Sequence, residues 1–359
     1  MTLPRKSPVG LDVACDKLRP MHRFDGNLNV RHPRMALIAN DALGNFAMSS
    51  VVGQAMRAQY PEGFLTLYTG SRVTEMAQDC TWKHQIRTLY GPNPYDVVAG
   101  LPGQAYDLVV NLENSAFAKT VTGLIVKEDG SVVGPCVNKD GRGDLPWGDL
   151  PMQRLWADEK WLDERVQERH PMLESGFIGE IFCRSFGFEG VIPGYNLPRK
   201  TEGVVASDVL IATAASLDSK LWPVEKWIEL AQALQNRGLS VGLLGAKPSA
   251  QGQFWKGAAE EEQIIAKGAV NDHRGAFTLP EVAGALSLAK LVVTIDNGIL
   301  HLACSTQTPT IGLFRHGIHR LWAPPVSNLT VVEPGPERTV AELDVETILS
   351  NVDTVLANN

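Results

Sequence analysis

The chain has 359 residues, a formal net charge of −7, 44% hydrophobic residues and 20% charged residues. This length allows two domains with full hydrophobic cores, and the composition is that of a soluble globular protein. The acidic balance argues against nucleic acid as the main partner, because nucleic-acid binding needs a basic face. No apolar run of about 18 residues is present, so no membrane-spanning helix is expected. Contact with a membrane surface stays open, and the sequence carries no indication of oligomeric state.

Targeting and cysteine patterns favour a cytoplasmic protein. Arg5 and Lys6 near the N-terminus are not followed by an apolar segment, so no secretory signal is predicted. The five cysteines are scattered and form no C-x-x-C pair, which argues against a disulfide framework or a zinc site. We therefore expect reduced thiols, a cytoplasmic location and no metal site.

The N-terminal half begins with an irregular extension over residues 1–34, followed by a β–α–β pattern. An apolar strand spans Met35–Asn40, a helix runs from the turn at 41–45 to about Tyr60, and Phe64–Tyr68 forms the next strand. Such a unit implies parallel strands and a right-handed crossover.

The rest of this half is less regular. Asp107–Leu112 is a third strand that ends in a polar turn at Glu113. Residues 127–149 are rich in Gly, Pro and Asp, which predicts an exposed loop or hairpin. Residues 152–170 indicate helical surface, and Ile178–Phe186 a further helix.

A linker at Gly194–Lys200 separates a second series of strands and helices from the first. We predict an α/β fold with two doubly wound, Rossmann-like domains, and ligands at the carboxyl ends of the strands. The predicted units are an N-terminal domain at 35–197, a C-terminal domain at 198–338, and a final helical segment at 339–359 that could pack back across the domains.

One stretch of the second domain is typical of an anion site. Leu291–Ile295 is an apolar strand that ends in Asp296, Asn297 and Gly298, and a helix containing His301 starts at once. A glycine at such a turn allows close approach of a ligand, and a helix start favours an anion. A diphosphate site is one interpretation. An ordinary turn capped by the Asx residue is the other.

A second polar edge follows the strand Val209–Ala212. Thr213 and Ser216 supply hydroxyl groups, and Lys220 supplies a positive charge near phosphate oxygens. The alternative is that these hydroxyls cap the next helix and that Lys220 is solvated. Two such edges in one domain favour diphosphate binding.

These residues resemble the ADP-heptose-dependent heptosyltransferases of lipopolysaccharide synthesis, glycosyltransferase family 9. The resemblance is carried by Lys220-Leu221-Trp222-Pro223, by Asp296 to Ala303, and by Pro309 to Phe314. It implies a GT-B fold, with an acceptor on the N-terminal domain and a nucleotide sugar on the C-terminal domain.

The resemblance also implies an inverting, metal-independent transfer from ADP-heptose as co-substrate, with no other cofactor. Lys220 and the turn at Asn297 and Gly298 would stabilise the ADP leaving group, Asp296 would contact the donor, and His301 could reach the sugar or a phosphate. Gly44, in the first turn of the N-terminal domain, would adjoin the substrate. His301 could instead be a packed histidine.

The general base is the main departure from the family, which places an Asp where this chain has Asn45. An amide cannot take up the acceptor proton. Asp41 could replace it, or Glu113 could reach the cleft from the end of its strand. Alternatively, the protein binds a nucleotide sugar without transferring it. An epimerase of the same fold is a further alternative.

Several further residues are candidates for substrate contacts. Lys247 stands in a turn where the family often has an acidic residue for the ribose, so the nucleoside is less well defined than the diphosphate. The remaining candidates, each with a surface or core role as the alternative, are Arg315, His316, His319, Trp82, Trp147, Trp156, Trp161, Arg31 and Arg34.

Overall fold

The computed structural model describes residues 21–247, 249, 256–268 and 270–357. These residues form two six-stranded sheets, and every strand pairing within the two sheets is parallel. The prediction of two doubly wound α/β domains is confirmed. Among the described helices, none has the length and apolar character needed to cross a membrane.

The first sheet belongs to the N-terminal domain and has the strand order β1-β6-β5-β2-β3-β4. Its central strands consist of buried apolar residues, as expected for a sheet covered on both faces. Its strands are β1 His22–Arg23, β2 Arg34–Ile38, β3 Phe64–Gly70, β4 Gln85–Tyr90, β5 Tyr106–Asn111 and β6 Val126–Val133. The α-helices of this domain span Leu43–Gln59, Thr74–Gln78, Pro94–Ala99, Ala116–Ile125, Pro151–Ala157, Val166–Arg169 and Ile178–Ser185.

The second sheet has the order β12-β11-β10-β7-β8-β9. Its strands are β7 Val209–Ala212, β8 Val241–Leu243, β9 Asn271–Asp272, β10 Leu291–Ile295, β11 Thr310–Leu313 and β12 Leu329–Val332. Its described α-helices span Val224–Asn236, Ala258–Ala266, Leu279–Leu288, Gly298–Cys304, His319–Trp322 and Val345–Ala357.

The first sheet corrects two sequence interpretations. Residues 127–149 do not form only a loop or hairpin, because β6 pairs with β5 along most of its length. The strand is hard to recognise because its polar residues include Asp129, which has a φ of 60°, and because its register with β5 shifts. Within the segment 1–34, His22 and Arg23 extend the same sheet as β1 beside β6. The remainder of that segment up to residue 20 lies outside the described residues.

The connection between the domains is extended. Residues 191–200 contain no helix or strand, which agrees with the linker predicted at Gly194–Lys200. The Lys200 backbone N–H donates to Pro280 O, which ties the end of the linker to the helix Leu279–Leu288. The linker therefore enters the C-terminal domain in contact with this helix.

The C-terminal helix Val345–Ala357 packs on the core of the C-terminal domain. Its buried residues Val345, Ile348 and Val352 join the core around Trp227 and Leu230 of the C-terminal domain. The side chain of Trp222 also donates from Nε1 to Leu343 O at 2.9 Å. The apolar side of this helix thus packs against that of the helix Val224–Asn236 in the same domain.

The two domains meet where a helix of each begins. The helices Leu43–Gln59 and Gly298–Cys304 start directly after β2 and β10 and pack against each other. A methyl group added at Gly44 would lie 2.8 Å from His301 Cδ2, and one added at Gly298 would lie 2.7 Å from Leu43 Cβ. The two glycines therefore set how closely the domains approach, and this approach forms the walls of the site.

Candidate active site

A cavity of about 560 Å³ lies between the domains at the carboxyl ends of their strands. We call it the interdomain cavity. Among its lining residues are Asp41, Gly44, Asn45, Ser216, Lys220, Asp296, Asn297, Gly298 and His301. The residues predicted for donor binding and catalysis, apart from Thr213 and Glu113, therefore come together in one place, although they come from distant segments of both domains.

A buried ion pair fixes one wall of this cavity. Lys220 Nζ lies 2.8 Å from Asp296 Oδ2 and donates to the backbone oxygen of Asp296 at 3.0 Å. Only 17% of the Lys220 side chain and 7% of the Asp296 side chain are exposed. Asp296 therefore holds the ammonium group at the cavity surface, and each charge compensates the other inside the protein.

The turn after β10 is closed by Asn297. Its Oδ1 accepts from the backbone N–H groups of Ile299 and Leu300 at 3.0 and 3.2 Å, and its Nδ2 donates to Ala214 O at 3.1 Å. Asn297 thus caps the following helix and joins it to the end of β7. The Asx cap considered in the sequence analysis is present, and two N–H groups of this helix start already have an acceptor.

His301 is buried against the N-terminal domain. Its Nδ1 lies 3.0 Å from the hydroxyl of Tyr195, which belongs to the linker. Burial lowers the pKa of His301 to about 4, and the charge of Lys220 acts in the same direction. The imidazole is therefore neutral near pH 7. It lines the cavity, and it also has the packed role given as the alternative in the sequence analysis.

Thr213 lies outside the interdomain cavity, in contrast to the sequence expectation. Its Oγ1 donates to Glu261 Oε1 at 3.1 Å, and Glu261 is fully buried beside Arg274 at 3.6 Å. The hydroxyl is therefore bound inside the C-terminal domain. Ser216 lies three residues further along and does line the cavity.

A further part of the interdomain cavity is mostly apolar, and Lys247 is its one residue that the sequence analysis had named as a candidate. It is lined by Leu244, Gly245, Ala246, Lys247, Gly275, Phe277, Leu279 and Val282. The available signal was that these residues follow β8 and precede the helix Leu279–Leu288, so they occupy the same sheet edge as the predicted residues. Lys247 is exposed there and brings a second lysine to the cavity.

The two carboxylates considered as bases lie in different places. Asp41 lines the interdomain cavity, forms an ion pair with Arg72, and packs over Gly70. Glu113 lines another cavity, and its Oε1 accepts from Asn40 N at 3.2 Å. Burial raises the pKa of Glu113, and the charge of Asp41 adds to this effect.

This second cavity has a volume of about 640 Å³ and is formed mainly by the N-terminal domain. We call it the N-terminal cavity. Asn45 and Trp322 line both cavities, so the two spaces adjoin each other. Trp147, Trp156 and Trp161 line the N-terminal cavity, as residues suited to a sugar or nucleoside acceptor would. The sequence analysis had named all three as candidates for substrate contacts, with a core role as the alternative.

The remaining candidates line neither cavity. Trp82 is 4% exposed and packs against Gly53 in the core. His319 Nδ1 lies 2.8 Å from Glu333 Oε2, and His316 Nδ1 lies 3.5 Å from Glu333 Oε1. Arg31 pairs with Glu62 at 3.1 Å on the surface. Neither Arg315 nor Arg34 lines either cavity; Arg34 lies over the ring of Phe64.

The described part of the chain contains no group of three or more His, Cys, Asp or Glu side chains arranged to hold a metal ion. The four cysteines within it, Cys80, Cys136, Cys183 and Cys304, are free and buried. Cys15 lies outside the described residues.

Residues 199–352 match the family model described as glycosyltransferase family 9 (heptosyltransferase). The match covers the C-terminal domain. The resemblance seen in the sequence is thereby confirmed for the segment that contains Lys220, Asp296 and His301.

Curated relatives match part of the chain. Lipopolysaccharide heptosyltransferase 1 of Salmonella typhimurium is 33% identical over 101 residues, which is 28% of this chain and 30% of the relative. Lipopolysaccharide heptosyltransferase 3 of Escherichia coli is 30% identical over 131 residues, which is 35% of this chain and 36% of the relative. The chain thus spans about a third of the length of the curated relatives it matches.

Solved structures resemble the chain over most of its length. A family 9 glycosyltransferase from Veillonella parvula has a TM-score of 0.70 at 14% identity, covering 93% of this chain and all of the other. Heptosyltransferase II of Escherichia coli has a TM-score of 0.65 at 16% identity, covering 90% of this chain and 99% of its own. A heptosyltransferase of Escherichia coli solved with ADP has a TM-score of 0.60 at 15% identity. The GT-B fold implied by the resemblance is confirmed.

We expect removal of Lys220 to destabilise the family 9 domain. Lys220→Ala leaves the buried Asp296 carboxylate without its cation, which should lower the free energy of unfolding by about 3 kcal/mol. Lys220→Ala combined with Asp296→Asn should recover most of this loss. Denaturant unfolding of both variants measures the effect. As a control, Lys290→Ala removes an exposed pair with Asp208 and should cost less than about 1 kcal/mol. A loss at Lys220 as small as at Lys290 would contradict the structural role.

We also expect the buried His301 to make stability fall in acid. Its pKa is about 4 in the folded protein against 6.5 for an ordinary histidine, so the unfolded chain binds more protons between these values. The neutral, buried His301 makes its full contribution to the free energy of unfolding above pH 6.5. This contribution decreases as the pH falls, by about 2 kcal/mol at pH 5. Unfolding measured from pH 8 to 5 should show a smaller decline in His301→Gln than in the unaltered protein. Parallel declines would show that His301 does not titrate as described.

Proposed function

We propose that this protein is an inverting glycosyltransferase that moves a sugar, heptose from ADP-heptose in the first instance, to an acceptor hydroxyl. The observation that carries the proposal is the pair of adjoining cavities that share Asn45. One lies against the family 9 domain, and the other against the N-terminal domain. A transferase needs one space for the donor and one for the acceptor. The two must adjoin so that the sugar can be transferred directly from one substrate to the other.

In this proposal the donor occupies the interdomain cavity. The apolar end around Phe277 and Val282 receives the nucleoside, and the diphosphate lies near Ser216 and Lys220. Negative charge develops on the leaving diphosphate as the glycosidic bond breaks, and a fixed ammonium group stabilises it. Lys247 adds a second cation on the same wall. The relative solved with ADP supports a nucleotide donor of this kind.

The acceptor occupies the N-terminal cavity, and Glu113 takes up its proton. An inverting transfer needs a base on the acceptor side of the sugar. Asp41, which the sequence analysis considered first, lies on the donor side and is paired with Arg72. Glu113 lies on the acceptor side with Asn45, and its raised pKa makes its carboxylate a stronger base. We assign Asp41 to fixing Arg72 at the cavity wall.

The proposal requires no cofactor besides the nucleotide sugar and no metal ion, as the family resemblance implies. A cytoplasmic location also belongs to the proposal, because a nucleotide sugar is a cytoplasmic metabolite and the described cysteines are free. The binding of a nucleotide sugar without transfer, suggested by Asn45, is the outcome that the next experiment separates from catalysis.

The proposed function is tested by following ADP release from ADP-heptose with and without a panel of glycan acceptors. We expect release that depends on an acceptor, and a glycosylated product in the mass spectrum. Lys220→Ala should weaken ADP binding, measured by calorimetry, by about 1–3 kcal/mol because a charged hydrogen bond is lost. ADP binding without turnover for every acceptor would favour the non-catalytic binder. No ADP binding would contradict the proposal altogether.

The base is tested in the same assay. Glu113→Gln keeps the size of the side chain and an oxygen that can accept from Asn40, but it cannot take up a proton. It should lower kcat about 10²- to 10⁴-fold with ADP affinity unchanged. The matched variant Asp41→Asn should alter donor affinity more than kcat, because it weakens the contact with Arg72. If Asp41→Asn abolishes turnover and Glu113→Gln does not, Asp41 is the base.

A further inference from the structure

The cations of the N-terminal cavity are already bound. Lys119 Nζ lies 2.7 Å from Asp144 Oδ2. Arg23 donates to the backbone oxygens of Gly134 and Leu145, and to that of Pro146 at 3.0 Å. Its guanidinium also lies 3.7 Å from the ring centre of Trp147. A phosphate or carboxylate group placed at Lys119 would therefore also lie beside the Asp144 carboxylate, and one placed at Arg23 would compete with backbone oxygens.

The carboxylates of the same cavity are less completely paired. Asp158 is neutralised by Arg169 and His170, at 2.9 and 2.8 Å. Glu113 accepts a backbone hydrogen bond, and Glu159 is exposed. Among the described residues, no cationic side chain lies within 4.0 Å of either Glu113 or Glu159. The cavity therefore presents negative charge to whatever enters it.

The rest of the wall is aromatic. Trp147, Trp156 and Phe182 form a stacked column, with ring centres 6.2 and 5.2 Å apart. Trp161 stands at 85° to Trp156 and 84° to Phe182. Such a wall offers apolar surface to the C–H groups of a ring, while the carboxylates accept hydrogen bonds from hydroxyl or ammonium groups.

We infer that the N-terminal cavity binds an uncharged or cationic saccharide and rejects phosphorylated or carboxylated ones. This rests on the proposed function, which requires an acceptor hydroxyl in this cavity. The hydroxyl donates to Glu113, an amino group of an amino sugar lies towards Glu159, and the sugar ring packs on the aromatic wall. An anionic group would meet the carboxylates of Glu113 and Glu159, and any contact it made with Lys119 would be shared with Asp144.

The inference is tested without donor or turnover, by ¹⁹F NMR of protein labelled with 5-fluorotryptophan. The probes are methyl glucopyranoside, glucosamine and glucose 6-phosphate, which share a ring and differ in charge. We expect saturable shifts of the Trp147, Trp156 and Trp161 signals, assigned by single Trp→Phe variants. Methyl glucopyranoside and glucosamine should bind about fivefold or more tightly than glucose 6-phosphate at low salt. Equal or tighter binding of glucose 6-phosphate overturns the inference, and so does the absence of shifts with the other two probes.

Asp144→Asn provides a reversal test. The Asp144 side chain is 61% exposed, so its replacement should not prevent folding, and it releases Lys119 into the cavity. The affinity for glucose 6-phosphate should then rise about fivefold, and the rise should disappear at high salt. Asp140→Asn changes the net charge equally, in the same segment, but Asp140 does not line the cavity. It should leave all three affinities unchanged. Equal effects of both variants would contradict the role of Lys119.

These outcomes are separable from those of the transfer assay. Saccharide binding at the tryptophans without any ADP release would support the cavity assignment and contradict the proposed transfer. Transfer to an anionic acceptor in preference to its uncharged counterpart would support the proposed function and overturn the inference.

Discussion

The close approach of two helix starts is the constraint on which the rest of the site depends. Gly44 lies against His301, and Gly298 against Leu43, with no room for a methyl group at either glycine. Because each helix follows a strand of its own sheet, this contact brings the carboxyl ends of the two sheets together. The interdomain cavity and the N-terminal cavity therefore open beside each other. A bulkier residue at this contact would separate the groups on the two sides of the cleft.

Much of the architecture could be predicted from the sequence, since apolar strands such as β2, β5 and β10 alternate with helical patterns. The strand β6 could not be predicted, because polar residues interrupt its apolar pattern and the backbone of Asp129 is in the left-handed region. The sheet edge of the site was also predictable, but side-chain direction was not. Thr213 lies at the predicted edge, yet its hydroxyl faces Glu261. The direction of such a side chain depends on packing between distant segments, which a local sequence pattern does not contain.

The charges of the two cavities differ in a way that agrees with the departure at Asn45. Cations outnumber carboxylates in the lining of the interdomain cavity, which includes Lys220 and Lys247, whereas carboxylates outnumber cations in the lining of the N-terminal cavity. Asn45 lies where both meet. The charge of Asp41 already raises the pKa of Glu113. A further carboxylate at position 45 would increase this repulsion, so a neutral amide there avoids an additional rise in the pKa of Glu113.

The contact between Tyr195 and His301 has a consequence for motion between the domains. The Tyr195 hydroxyl, in the linker, contacts Met48 Sδ at 3.2 Å on one side and His301 Nδ1 at 3.0 Å on the other. Separating the domains would admit water to the imidazole and return its pKa from about 4 towards 6.5. Any separation of the domains that exposes His301 would therefore be coupled to proton uptake between pH 4 and 6.5, and neutral pH would favour the closed arrangement.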